Sequence, residues 1–118
     1  MPHPDALPNH ERAVIPEAKL RDYVLNPAHD VGGHKARLFA AILGITAHNR
    51  SILAQAILSG LSEAPAVQRG RILHGDLYQV DMVVTGPGGS ATVRTGWIIR
   101  EPGGPPALTT AIVLKGTR

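Results

Sequence analysis

The sequence predicts an α+β domain: about three N-terminal helices packed on a C-terminal antiparallel β-meander of three to four strands. Two patterns carry that expectation. Apolar residues recur at helical spacing as far as Leu61, and from Val80 onward they fall at alternate positions, so the period changes from 3.6 to 2. A third observation bounds the architecture. With 118 residues and no cysteine, the chain can support one core, held by packing and not by disulfides or thiolate metal sites.

Residues 1–10, with Pro2, Pro4 and Pro8 among His3 and His10, show no periodicity and read as a loosely held arm before a single domain over residues 11–118. Helix one is expected to begin at Pro16, whose fixed φ suits a first helical position, with Leu20, Tyr23 and Val24 as its apolar stripe. Asn26-Pro27 stops it. A tight connection over residues 28–33 leads to helix two, from about His34 to Leu43. There Leu38, Phe39, Ala41, Ile42 and Ile45 keep one side apolar and Gly44 supplies the C-terminal stop. Thr46 is a suitable N-cap for helix three, in which Ile52, Leu53, Ala56, Ile57 and Leu61 recur until Gly60 and Pro65 close it.

Residues 64–70 read as a linker. In residues 76–85, Val80, Met82 and Val84 alternate with Gln79, Asp81 and Val83; in residues 90–101, Val93, Thr95, Trp97 and Ile99 alternate with Thr92, Arg94, Ile98 and Arg100. Gly86-Pro87-Gly88-Gly89 suits a hairpin between them, and the Pro- and Gly-rich residues 102–106 turn the chain into a third strand over residues 107–114. Residues 71–74 are a candidate short edge strand.

Composition narrows the function classes. Hydrophobic residues make up 43% and charged residues 18%, which is enough apolar surface to fold and excludes a disordered chain. The only aromatics are Tyr23, Phe39, Tyr78 and Trp97, so the core must be aliphatic and base stacking is limited. A formal charge of +3 permits a polyanionic partner without requiring one. No apolar run of signal-peptide or membrane-span length occurs, so the expectation is a cytoplasmic site of action with no membrane partner. Gly86-Pro87-Gly88-Gly89 lacks the Lys-Ser/Thr and helix of a phosphate-binding P-loop, and no Gly-x-Ser-x-Gly elbow occurs. No cofactor is implied. His29 and His34 are five apart without a carboxylate cluster, a poor metal pattern.

The entrance to helix two is the richest stretch, with His29, Gly32, Gly33, His34, Lys35 and Arg37 together. A first helical turn presents unpaired N–H groups and positive potential, and Gly32-Gly33 would admit a phosphate close to the backbone, drawn further by Lys35 and Arg37. The same potential favours a neutral imidazole, the form a general base needs. Cleaving RNA without metal requires a base for the 2′-hydroxyl, a cation for the phosphorane and an acid for the 5′-oxygen. His34 and His29 are candidate acid and base, and Lys35 and Arg94 candidate phosphate ligands. Arg94 qualifies only if its side of the strand faces the helix-two entrance; Thr95 and Trp97 lie on the other side. Plainer readings stand beside these: His34 and Lys35 as a solvated helix start, His29 as a partner of turn carbonyls, Trp97 as a core residue and not a base-stacking platform, and Thr109-Thr110 as strand propensity.

The strings Leu7-Pro8-Asn9, Lys19-Leu20-Arg21-Asp22-Tyr23-Val24-Leu25-Asn26-Pro27, His29, Gly33-His34-Lys35-Ala36-Arg37, Phe39, Thr92-Val93-Arg94-Thr95, Trp97-Ile98 and Leu108-Thr109-Thr110 resemble a bacterial family of uncharacterised toxin-like domains. The resemblance runs from about Leu7 to Leu114 and departs at residues 30–33, where relatives read Pro-x-Gly-x. Members occur as small stand-alone proteins beside a gene for a small β-rich partner, and as tips of large polymorphic toxins. That placement implies a toxin paired with an antitoxin or immunity protein, with delivery into target cells for the large forms. The order of helices then meander is similar to the barnase, colicin D and RelE ribonucleases, an analogy of fold alone. It implies a metal-independent ribonuclease acting on RNA, with His29, His34, Lys35, Arg94 and Thr95 or Thr109 at the active site. The alternatives are a non-catalytic protein-interaction module and a binder of small phosphate ligands.

Overall fold

In the computed structural model, which describes residues 2–30 and 33–114, the helical half precedes the sheet. Helix α1 is Glu17–Lys19, continuing as a π-helical segment over Leu20–Val24. Pro16 stands at its N-cap, one position earlier than expected, a difference within the usual scatter of helix ends. Leu20 and Val24 are buried and Tyr23 is half-buried, as the stripe requires. Helix α2 is Gly33–Leu38, continuing as a π-helical segment over Phe39–Leu43. It stops at Gly44, whose φ of 68° is the left-handed cap expected there. Thr46 caps a 3-10 turn, Ala47–Asn49: its hydroxyl accepts from the His48 N–H, and its own N–H donates to Asn49 Oδ1 at 2.7 Å. That turn runs into α3, Arg50–Gly60. Among the described residues no helix is long and apolar enough to cross a membrane.

The sheet has four strands, β1 (Ala66–Ile72), β2 (Gly75–Gly86), β3 (Gly89–Ile99) and β4 (Ala107–Val113), antiparallel in the order β1-β2-β3-β4. Alternation decides what each face meets. Val80, Met82 and Val84 of β2, Val93, Thr95 and Trp97 of β3, and Leu108, Ala111 and Val113 of β4 are all buried. Their apolar members form one core with Leu20 and Val24 of α1, Phe39 and Leu43 of α2, and Leu53 and Ile57 of α3. The helices therefore cover one face only. Asp81, Val83, Thr92, Arg94 and Gly96 belong to the other, open face.

Two expectations are corrected here. The linker at residues 64–70 is largely strand: β1 begins at Ala66 and includes the candidate edge segment. Every residue of β1 after Ala66 is exposed, so no buried face imprints a period of two on its sequence. The N-terminal arm is not loosely held. Leu7 is 1% exposed and belongs to the core, His3 N–H donates to Ser62 O at 2.6 Å, and Ala66 N–H donates to Asp5 O at 2.8 Å. Further along, Val14 bridges in parallel to Ala107 on β4.

The β2–β3 hairpin docks on the end of α2. Gly86 pairs with Gly89 across a Pro87-Gly88 loop, and Gly88 N–H donates to Leu43 O at 2.9 Å. A Cβ at Gly86 would sit 2.3 Å from that same carbonyl oxygen. Backbone cannot yield there as a flexible side chain can. Gly86→Ala is therefore expected to destabilise the fold by about 1–3 kcal/mol through overpacking, read as a lower urea midpoint.

Candidate functional site

The helix-two entrance is built chiefly by contacts within its own chain segment. Asn26 Oδ1 accepts from Ala28 N–H at 3.0 Å, and Arg37 Nη1 donates to Pro27 O at 3.0 Å. Gly33 is buried, and a Cβ there would lie 2.4 Å from Pro27 O. Its missing side chain thus serves close packing on residue 27, and does not leave backbone open to a ligand as expected. Gly32 lies outside the described residues. His29 is half-buried, its ring edge-on to Tyr23 at 4.9 Å between centroids, while Lys19 Nζ stands 5.4 Å from the centre of the Tyr23 ring. His34 and Lys35 are exposed. Among the described residues, no hydrogen bond or ion pair joins either of them to the sheet.

On the sheet, the candidates separate by face. Thr95 and Trp97 point into the core, both 0% exposed. Trp97 Nε1 donates to Thr95 Oγ1 at 2.8 Å, and that hydroxyl donates to Val80 O at 2.7 Å. This chain satisfies two buried polar groups on an otherwise apolar layer. It also removes Thr95 as a phosphate-orienting hydroxyl and Trp97 as a stacking platform, because neither side chain reaches solvent.

Arg94 lies on the open face, turned away from the helical layer. Its Nε and Nη2 donate to Asp81 Oδ1 and Oδ2 at 3.0 and 3.1 Å, a bidentate cross-strand pair. Asp81 in turn holds the Arg94 guanidinium more firmly in its charged form. Thr109 shares this face because β4 carries a bulge: Gly96 pairs with Thr110 and Trp97 with Leu108, leaving Thr109 as the extra residue. Both threonines crowd the open side of Gly96, where a Cβ would meet Thr109 Oγ1 at 2.9 Å and Thr110 Cγ2 at 3.0 Å.

The result is a hollow of about 220 Å³ over Gly96, lined by Arg69, Gln79, Arg94, Thr109 and Thr110 with Leu77 and Ile112 beside them. Its surface is mainly apolar, and Arg69, Arg94, the two threonines and Gln79 are polar residues that border it, along with Thr95. Arg94 is compensated by Asp81, so the surplus positive charge comes from Arg69. Residues of these types can donate to an oxyanion, with Arg94 Nε and Nη2 already donating to Asp81. Of the residues expected at the site, the structure brings Arg94 and Thr109 together but on the face away from the helix-two entrance, so the condition for Arg94 to join His29, His34 and Lys35 is not met, and it sends Thr95 and Trp97 to the core. Sequence reasoning missed Arg69, Gln79, Asp81, Gly96 and Thr110. Asp81 was within reach, since counting outward from the Gly86–Gly89 pair places it opposite Arg94.

A larger hollow, about 400 Å³, lies on the helical side, lined by Ile15, Glu17, Leu20, His48, Arg50 and Ser51 among others. Its charges are internally matched: Arg50 pairs with Glu17 and also donates to Ala47 O at 2.6 Å. The Arg50 hydrogen bond, and then its charge, hold the Glu17 carboxyl below the usual carboxylate range. Among the described residues no three His, Asp or Glu side chains group closely enough to hold a metal ion.

Residues 6–115 match the family described as a domain of unknown function, DUF6883. No curated protein and no solved structure matches the chain.

Proposed function

We propose that this chain, which belongs to the DUF6883 family, is a metal-independent ribonuclease toxin that holds the RNA backbone on the open face of its sheet. The supporting observation is the hollow over Gly96, where Arg69, Arg94, Thr109 and Thr110 converge. A phosphodiester carries two non-bridging oxygens, which a guanidinium fork and neighbouring hydroxyls can bind together. The same donors would stabilise the added charge of a phosphorane. Arg94 is pre-oriented for this by Asp81, so little side-chain freedom is lost on binding. His34 and His29 remain the proposed acid and base; they belong to the helical half, which packs on the opposite face of the sheet from this hollow, so the RNA held over Gly96 must pass around the β4 edge to reach them. Helix α2, which begins at the histidine-bearing entrance, packs against β4 from the core side, whereas the threonines of the hollow stand over the open side of Gly96.

The test separates binding from cleavage. Wild-type protein expressed in bacteria is expected to arrest growth and fragment total RNA, and the purified protein to retard a single-stranded RNA. Arg94→Ala should weaken that binding roughly 10- to 100-fold, the range for losing a hydrogen bond to a charged group. His34→Ala should abolish fragmentation while leaving binding nearly intact. If the wild type neither binds RNA nor affects growth, the reading fails. If His29→Ala and His34→Ala both fragment RNA at the wild-type rate, histidine acid–base chemistry is eliminated. Inorganic phosphate binding equally well in place of RNA would favour a small-ligand site.

A further inference from the structure

The two edges of the sheet are treated differently by the fold. At the β4 edge, Val14 N–H donates to Pro106 O at 2.8 Å and Leu108 N–H donates to Val14 O at 3.0 Å, so the N-terminal segment covers its start. At the β1 edge, among the described residues, the same segment reaches only the first residue, through Ala66 N–H to Asp5 O. Beyond Ala66, residues 67–72 run as an outermost strand, exposed at every position. An uncovered edge presents a row of backbone donors and acceptors to any strand that can align with it, and proteins blunt such edges with proline, a covering loop, charged side chains or a bulge. Residues 67–72 contain no proline and, among the described residues, no loop covers them; the strand instead carries Arg69, Arg71 and the register shift at Arg69, which select against a like-charged strand, beside aliphatic side chains: Val67 is 50% exposed, Ile72 47%, and Leu73 at the hairpin tip 95%.

We infer that the outer edge of β1 is a strand-addition site for an extended acidic segment of a partner protein. The ladder of backbone groups with exposed aliphatic side chains fits a polypeptide strand and not a nucleic acid. Charge selects among polypeptides. The charged residues of β1 are Arg69 and Arg71, with no acidic residue in the strand. A second copy of this chain added antiparallel would set a second Arg69-bearing strand at a spacing of about 4.8 Å, and like charges across such a pair are destabilising. An acidic strand reverses the sign of that interaction. Arg71 already engages Asp76 of β2, so Arg69, the extra residue where the β1–β2 register shifts, is the principal selecting charge. The inference shares Arg69 with the proposed RNA hollow but does not depend on that reading, because peptide binding at the β1 edge is measured without RNA.

The probe is a blocked hexapeptide of alternating Glu and Val, titrated into isotope-labelled full-length protein and followed by amide chemical shifts, with a Lys–Val hexapeptide as its counterpart. The Glu–Val peptide should shift the amides of residues 67–72 saturably and protect them from hydrogen exchange, with an affinity that falls as salt is added. The Lys–Val peptide should not. Arg69→Glu, an exposed substitution, should weaken the Glu–Val peptide about fivefold or more and strengthen the Lys–Val peptide. Shifts that avoid β1, or no shift at millimolar Glu–Val peptide, overturn the inference. So does equal binding of both peptides to the wild-type protein, which needs no variant to be read.

Discussion

Trp97→Ala is expected to lower the unfolding free energy by about 3–5 kcal/mol, the range for deleting a large aromatic side chain from a close-packed core. Against a typical total of about 5–15 kcal/mol for a small domain, that leaves the protein marginal or unfolded at ambient temperature. The magnitude follows from two features. Trp97 is 0% exposed and packs in the core between sheet and helices, so its removal opens a cavity that the aliphatic neighbours fill only in part. Its indole N–H is also the donor to Thr95 Oγ1, and that partner is lost with the ring. Trp97→Phe keeps most of the volume and should cost clearly less. Thr95→Val should cost about 1–3 kcal/mol by leaving the buried indole N–H without an acceptor. Urea denaturation of the three variants measures this order. A Trp97→Ala protein with the wild-type midpoint would mean that the indole is not a core residue.

Gly96→Val carries the second large effect, on function and not on stability. Position 96 floors the hollow, and the new side chain would project among Arg94, Thr109 and Thr110. The atoms it would strike first are the ends of two threonine side chains, at 2.9 and 3.0 Å from the new Cβ. They can rotate aside, and valine suits a strand, so the fold should survive. RNA affinity is expected to fall by about tenfold or more, the equivalent of one lost charged hydrogen bond, because the phosphate-sized space is filled. Val83→Thr is the control. It lies on the same open face, is highly exposed, and is not among the residues lining this hollow, so it should bind RNA as the wild type does. Gel retardation with circular dichroism on each variant decides it. Unaltered RNA binding by a folded Gly96→Val protein would place the RNA elsewhere and remove the observation that supports the proposed function.

Placement of the site residues shows where local pattern suffices. Strand alternation put Arg94 on one side of β3 and Thr95 with Trp97 on the other, and the structure keeps that division. What alternation could not supply is which side stays open. Trp97 and Thr95 bring polar atoms onto an otherwise apolar row, and only the bond from Trp97 to Thr95 and on to Val80 O makes them acceptable inside. Thr109 would have been assigned a face by simple alternation, but the bulge beside Gly96 adds a residue and turns Thr109 and Thr110 over the same position. A bulge is set by the partner strand as well as by its own residues, so nothing in Leu108-Thr109-Thr110 announces it.

Local chemistry determined the order of helices before strands, the stop at Gly44, the Thr46 cap and the hairpin at Pro87-Gly88, because each depends on residues within one or two turns of chain. Tertiary structure alone decided that Leu7 enters the core, that residues 66–72 form an edge strand, and that Arg69, Arg94, Thr109 and Thr110 meet over Gly96. Those outcomes rest on contacts between segments far apart in sequence, where burial and strand pairing override the preference of any single stretch.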